Sequence, residues 1–373
     1  MNTKNYFNNR GLSLLWLIAV VFILYILKPF IVPILFAIIL SVMIFPIQRF
    51  LEKRWRCNRL FATLTSLTTL FLLTALLFFL VSSRLMYFMD NSEVYSQKLG
   101  ELFHKSINSL EQTFNIGNNR LFSQGEFKAE NIIKDNLDKI GLVLFESSSL
   151  LSDLVLIPIY IFFFLYYRAF FRTFIYKAFK SKSKSFINNV LKKIYAIQQN
   201  YLLGLIKVII IVGCLNSLGL LILGVGNPFF FGFLAAFLLL IPYIGVIIGS
   251  LLPAIIALAT KDSAWYAFGV IAVFGFIQFL EGNFITPKIT GSKVSVNAFV
   301  AITSLVLFSM LWGITGMILA LPITATLKIL FDNTPGYEAY GFLIGEPVDK
   351  HLQSRARIRL KKWKRIRKAN NFV

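Results

Sequence analysis

Eight apolar stretches follow one another along the chain, at residues 11–27, 29–47, 60–83, 150–167, 201–224, 226–260, 264–284 and 298–330. Each matches or exceeds the length of helix that crosses a hydrocarbon core. Of the 373 residues, 57% are hydrophobic and 15% are charged. A water-soluble domain is about 25% charged and could not hide this much apolar side chain. The expected fold is an all-α polytopic membrane protein of about eight transmembrane helices. The first stretch lacks a small-residue cleavage site before Lys28-Pro29, so it is expected to stay as a helix and not to be a signal peptide.

The net charge of +21 is unevenly spread. Basic residues collect at Arg49–Arg59, Arg168–Lys193 and Lys350–Lys368, always beside apolar stretches. Cytoplasmic loops carry this signature. The expected site is the cell (inner) membrane, with both termini inside. Residues 84–148 mix acids and bases, with apolar residues at helical spacing around Leu99–Leu110 and Ile132–Ile140. They are expected to form an extracytoplasmic amphipathic helical pair that packs or assembles. The expected division is residues 1–83 for helices one to three, 84–148 outside, 149–330 for the remaining helices and 331–373 for a basic cytoplasmic tail. That tail, with Trp363 and Ile366 among its bases, suits an anionic inner leaflet better than nucleic acid.

Chemistry concentrates in one place. Gln278, Glu281 and Asn283 lie at the end of the seventh apolar stretch, followed by Pro287, Lys288 and Gly291. An ionisable group at membrane depth is costly and marks a functional site by default. A second irregularity is Pro242-Tyr243-Ile244-Gly245 in the middle of residues 226–260. Proline removes a backbone donor and clashes with the preceding turn. A break at membrane depth needs protein or a water-filled cavity around it. Both a kinked single span and a hairpin turning within the membrane fit the sequence there. Gly313, Gly316 and Pro322 interrupt the last stretch, and the two glycines permit close helix approach. Thr and Ser in residues 60–83 fit helix packing, with a polar lining as the sharper alternative.

Other chemistries find little support. His104 and His351 lack partners at ligand spacing, and Cys57 and Cys214 lie in different environments, so neither a metal site nor a disulfide is expected. No Gly-x-Ser-x-Gly or His-Glu-x-x-His motif occurs, and no enzymatic activity or cofactor is expected.

Residues 226–245 (GNPFFFGFLAAFLLLIPYIG), 278–291 (QFLEGNFITPKITG) and 312–322 (WGITGMILALP) resemble the autoinducer-2 exporter family of bacterial membrane proteins. The match falls on Pro242, Tyr243, Gly245, Gln278, Glu281, Asn283, Pro287 and Gly291. The chain departs from the pattern at Leu239, where Asn is frequent, at Phe231, where Trp is common, and at Leu203 and Leu205 around Gly204. The resemblance implies export of a small signalling molecule or exchange of sodium or lithium for protons, and a homo-oligomer. Three functions follow as expectations: a secondary transporter for a small polar solute, a cation/proton antiporter, and a non-transport scaffold. In the first, Glu281 carries the coupling proton or cation, Gln278 and Asn283 supply neutral ligands, and the Pro242–Gly245 break exposes backbone carbonyls. In the scaffold, Glu281 pairs with Lys288 or Lys293.

Overall fold

The computed structural model describes residues 15–16, 18–90, 148–241, 244–261, 263–289 and 296–346. The helical pair expected within 84–148 and the basic tail lie almost wholly outside the described residues, as do Pro242, Tyr243 and Gly291.

The described chain is helical throughout. Residues 18–26 lead into α1 (Lys28–Arg54) and α2 (Arg59–Asp90). Then come α3 (Ser148–Tyr166), α4 (Arg168–Ala178) and the long α5 (Lys184–Ile222). Next are α6 (Pro228–Leu238), α7 (Ile244–Thr260) and α8 (Trp265–Leu280), which runs through a π-helical turn (Glu281–Ile285) into α9 (Thr286–Ile289). The last helices are α10 (Ala298–Trp312), α11 (Ile314–Asp332) and α12 (Glu338–Ile344). Five helices are long and apolar enough to cross a membrane, six if α3 and α4 form one bent span. Large apolar side chains stay open on their outer faces, such as Leu72 at 63% and Phe79 at 66% exposure on α2. Only lipid or another protein can cover such a surface.

Residues 226–260 form a hairpin. A Cβ on Gly249 would lie 2.7 Å from Ala235, and one on Gly245 would lie 1.8 Å from the Leu238 carbonyl oxygen. Ala235 and Gly249 are fourteen positions apart, about 21 Å along a straight helix. A kinked span cannot bring them into contact, so α7 returns along α6. Both ends of the hairpin share one side, since the Lys261 amine lies 3.0 Å from where a Gly224 Cβ would be.

The stretch 298–330, expected as one span, is also two helices. Gly313 turns the chain with φ +68°, and α11 folds back so that Gly316 packs against the Phe308 carbonyl. At the other end Asn297 donates to the carbonyls of Leu343, Ile344 and Gly345, and Gly345 lies against Lys328. The start of α10 therefore sits beside the end of α11. Two of the eight apolar stretches are therefore hairpins: the first was open between a kinked span and a hairpin, and the second was expected as one span.

Direction follows from paired contacts along α5. Ser217 meets Gly232 and Gly213 meets Phe233, so α6 runs antiparallel to α5. Gly219 meets Val273 and Gly269 meets Leu223, so α8 does too. The first hairpin opens at the Ile222 end of α5 and the second at the Lys184 end, where Lys193 donates to Asn333. Because 226–260 returns to its starting side, α8 runs toward the Lys184 end, and Val296 bridges Gly345 there.

Buried polar contacts tie α1, α2 and the start of α4 together at that same end. Fully buried Gln48 donates to Thr63 at 2.8 Å and to Glu52 at 3.1 Å, and Arg168 pairs with Glu52 at 2.6 Å. The hydroxyls of Thr63, Thr65, Ser66, Thr69 and Thr74 donate to carbonyls of their own helix. This is the packing reading of the Thr-rich stretch. Gly245→Ala is expected to destabilise the chain by about 1–3 kcal/mol through overpacking. Gly275→Ala, with nothing within 4 Å of the new methyl, should be neutral or mildly stabilising. Melting curves of the two variants in one detergent compare them directly.

Candidate functional site

The candidate site begins with the helical irregularity at Glu281–Ile285. Pro287 has no N–H to give the Asn283 carbonyl, and its ring crowds that carbonyl. The chain widens just before it, and the Thr286 N–H reaches back five residues to the Glu281 carbonyl. The helix then continues to Ile289, so Pro287 causes a π turn where the sequence predicted a break. Single π turns inside α-helices recur at functional sites.

The turn gathers three side chains. The half-buried Glu281 carboxylate accepts from Gln278 Nε2 at 2.9 Å through one oxygen and from Thr286 Oγ1 through the other. Gln278 and Glu281 are three apart on an α-helix and face each other by ordinary geometry. Glu281 and Thr286 are five apart, which suits a π turn's i→i+5 spacing. Sequence reasoning therefore missed Thr286. Asn283 does not join them; it is exposed and donates to the Phe279 carbonyl of its own helix. Among the described residues, Glu281 has no lysine or arginine partner within 4.0 Å.

Two hairpin tips approach this depth. Leu239, one residue past α6, packs with Val208, Val212, Ala236, Ile277, Ile285 and Ile289 in one apolar cluster. The first hairpin's tip and the π turn thus share the middle of α5. Gly245 packs closely at this tip, its Cα lying on the Leu238 carbonyl. At the second tip, Trp312 is buried with Val32, Leu202 and Leu319, and its indole N–H donates to the Leu24 carbonyl at 3.1 Å. Pro322 is buried, and its carbonyl accepts from Gln198 at 2.7 Å and from Thr326 at 2.9 Å. Gly313 and Gly316 form the turn of the second hairpin and its close contact.

Two further polar residues of α5 went unnoticed in the sequence because neither is ionisable nor part of a motif. Gln198 is 5% exposed and Asn216 is 4% exposed, and a side-chain oxygen of each has no partner. No cluster of three or more His, Cys, Asp or Glu occurs among the described residues.

Residues 14–336 match the AI-2E family transporter profile. The chain belongs to that family. Its relatives include "Putative transport protein YrrI" of Bacillus subtilis (strain 168), 34% identical over 35% of this chain and 36% of that one. They also include "AI-2 transport protein TqsA" of Escherichia coli (strain K12), 29% identical over 39% of this chain and 42% of that one. The aligned part spans well under half of either relative. The AI-2E family match covers both hairpins and the π turn, so these features sit within the family region and not in an appended segment.

Pro287→Ala tests the origin of the π turn. The new N–H can bond the Asn283 carbonyl, and removing an interior helix proline relieves up to about 3 kcal/mol. The expected result is a higher melting temperature together with altered amide exchange confined to residues 278–289.

Proposed function

We propose that this AI-2E family transporter is a secondary permease that moves a small polar solute or signalling molecule across the cytoplasmic membrane, coupled to an ion or proton gradient. The observation that carries the reading is the arrangement of the two hairpins. They open at opposite ends of α5, and the tip of the first lies against the turn that holds Glu281. Half-helices that end at membrane depth are how transporters hold substrate and coupling ion.

In this reading Glu281 gains and loses the coupling proton or cation. Gln278 and Thr286 hold the empty carboxylate by charge-assisted hydrogen bonds. A proton or cation arriving at Glu281 takes the place of those donors, and the loosened turn shifts against Leu239 and Val208. Asn283 faces away and joins only after a side-chain rotation. Alternating access then follows if the two hairpin mouths open in turn.

The basic ends of α1, α4 and α5 gather with Asn333 at one end of the bundle. Positive residues favour the cytoplasmic side. The first hairpin then opens outward and the second inward, with both termini inside. The homo-oligomer implied by the family resemblance stays part of this proposal, the exposed outer faces being its candidate surface.

A sodium or lithium/proton antiporter needs the same carboxylate and no organic site. A scaffold needs Glu281 locked by a lysine, and its partners among the described residues are Gln278 and Thr286 instead. Glu281→Gln should abolish gradient-driven transport in proteoliposomes, a loss of at least 100-fold, while folding and expression persist. Unchanged transport removes Glu281 from the mechanism. Dye quenching with sodium, run beside efflux of a labelled organic solute, separates antiporter from permease.

A further inference from the structure

Helix α4 is held in an unusual way. It leaves α3 at a bend of 72°, so it lies close to the membrane plane if α3 crosses the bilayer. Arg168 at its start is tied to Glu52 at 2.6 Å, and Tyr176 near its end donates to Asn188 of α5. Polar contacts fix the two ends, and no residue of the helix is buried. Its apolar face is left open, with Phe170 at 67% and Phe174 at 62% exposure.

Arg172 lies on the opposite face, Lys177 follows Phe174 by one turn on the aromatic side at the end of the helix, and both are exposed; residues 168–193 contain eight lysines and arginines and no acid. A helix with an open aromatic face and cations on its far side and at its end matches the headgroup boundary of an anionic leaflet. In the crook of the bend, Ile34, Tyr160, Phe163, Tyr167, Phe170 and Phe171 line an apolar groove of about 490 Å³. A protein partner would have to satisfy a dense positive field as well as aromatic rings. An anionic phospholipid supplies both complements in one molecule.

We propose that this crook is a binding site for an anionic phospholipid, an acyl chain lying along the aromatic groove and the phosphate drawn by the charges of Lys177 at the end of the helix and of Arg172. The site is separate from the basic tail and does not depend on the role of Glu281. It makes the position of α4, and through Glu52 and Asn188 the packing of α1 and α5, sensitive to leaflet charge.

The test uses the purified full chain in native mass spectrometry, with phosphatidylglycerol and phosphatidylcholine offered at equal concentration. The expected result is preferential retention of phosphatidylglycerol. The R172Q/K177Q variant should weaken that preference on the order of tenfold, given the attraction of each interfacial cation for an anionic surface. F170S/F174S should lower retention of both lipids. A tail variant, K361Q/K362Q, should retain phosphatidylglycerol like the parent. Melting in lipid-free detergent checks that each variant is folded, and R172Q alone stands in if the double variant is not. Equal retention of the two lipids overturns the proposal. So does an unchanged preference in folded R172Q/K177Q or R172Q, or loss of the preference in the tail variant alone.

Discussion

Backbone amides and carbonyls have no water to turn to inside a bilayer, and every helix end placed there must find partners within the protein. That constraint shapes this chain more than any single side-chain contact. Two apolar stretches fold back as hairpins, and each is held by close packing. Gly245 lies on the Leu238 carbonyl, Gly232 on the backbone of Ser217, and Gly316 on the Phe308 carbonyl. In each place a methyl group would collide with backbone, which cannot swing aside as a flexible side chain can. The glycines are thus what lets the hairpin helices approach their neighbours so closely.

The π turn obeys the same logic. Pro287 takes one donor out of the ladder, and the chain widens by one residue so that Thr286 bonds the Glu281 carbonyl. Widening rotates Thr286 onto the face that carries Glu281 and Gln278. A backbone defect and a polar constellation therefore arise from one proline. The carboxylate keeps neutral donors around it and stays half-buried, a state intermediate between full hydration and a locked ion pair.

Much of this was legible in the sequence. The apolar stretches gave the all-helical membrane class, and the basic blocks at Arg49–Arg59 and Arg168–Lys193 do gather at one end. Glu281 with Gln278 could be seen because helical spacing pairs them. Other parts were hidden for physical reasons. A hairpin and a kinked span have the same composition, and only contacts such as Gly249 with Ala235 separate them. One residue, Gly313, reverses the last stretch through a positive φ, which a window of hydropathy averages away. Thr286 escaped because five-residue spacing belongs to no regular α-helical face.

Hairpins that open at opposite ends of α5 also bear on how voltage would be felt. Under the transporter reading, water filling the two mouths would thin the insulating layer to the protein between the tips. Most of the transmembrane potential then falls over that short distance, at about 2.3 kcal/mol per charge for each 100 mV. A cation exchanged at Glu281 would cross a steep electrical step after a short physical displacement, so small movements of one helix turn would do electrical work normally spread over a whole bilayer.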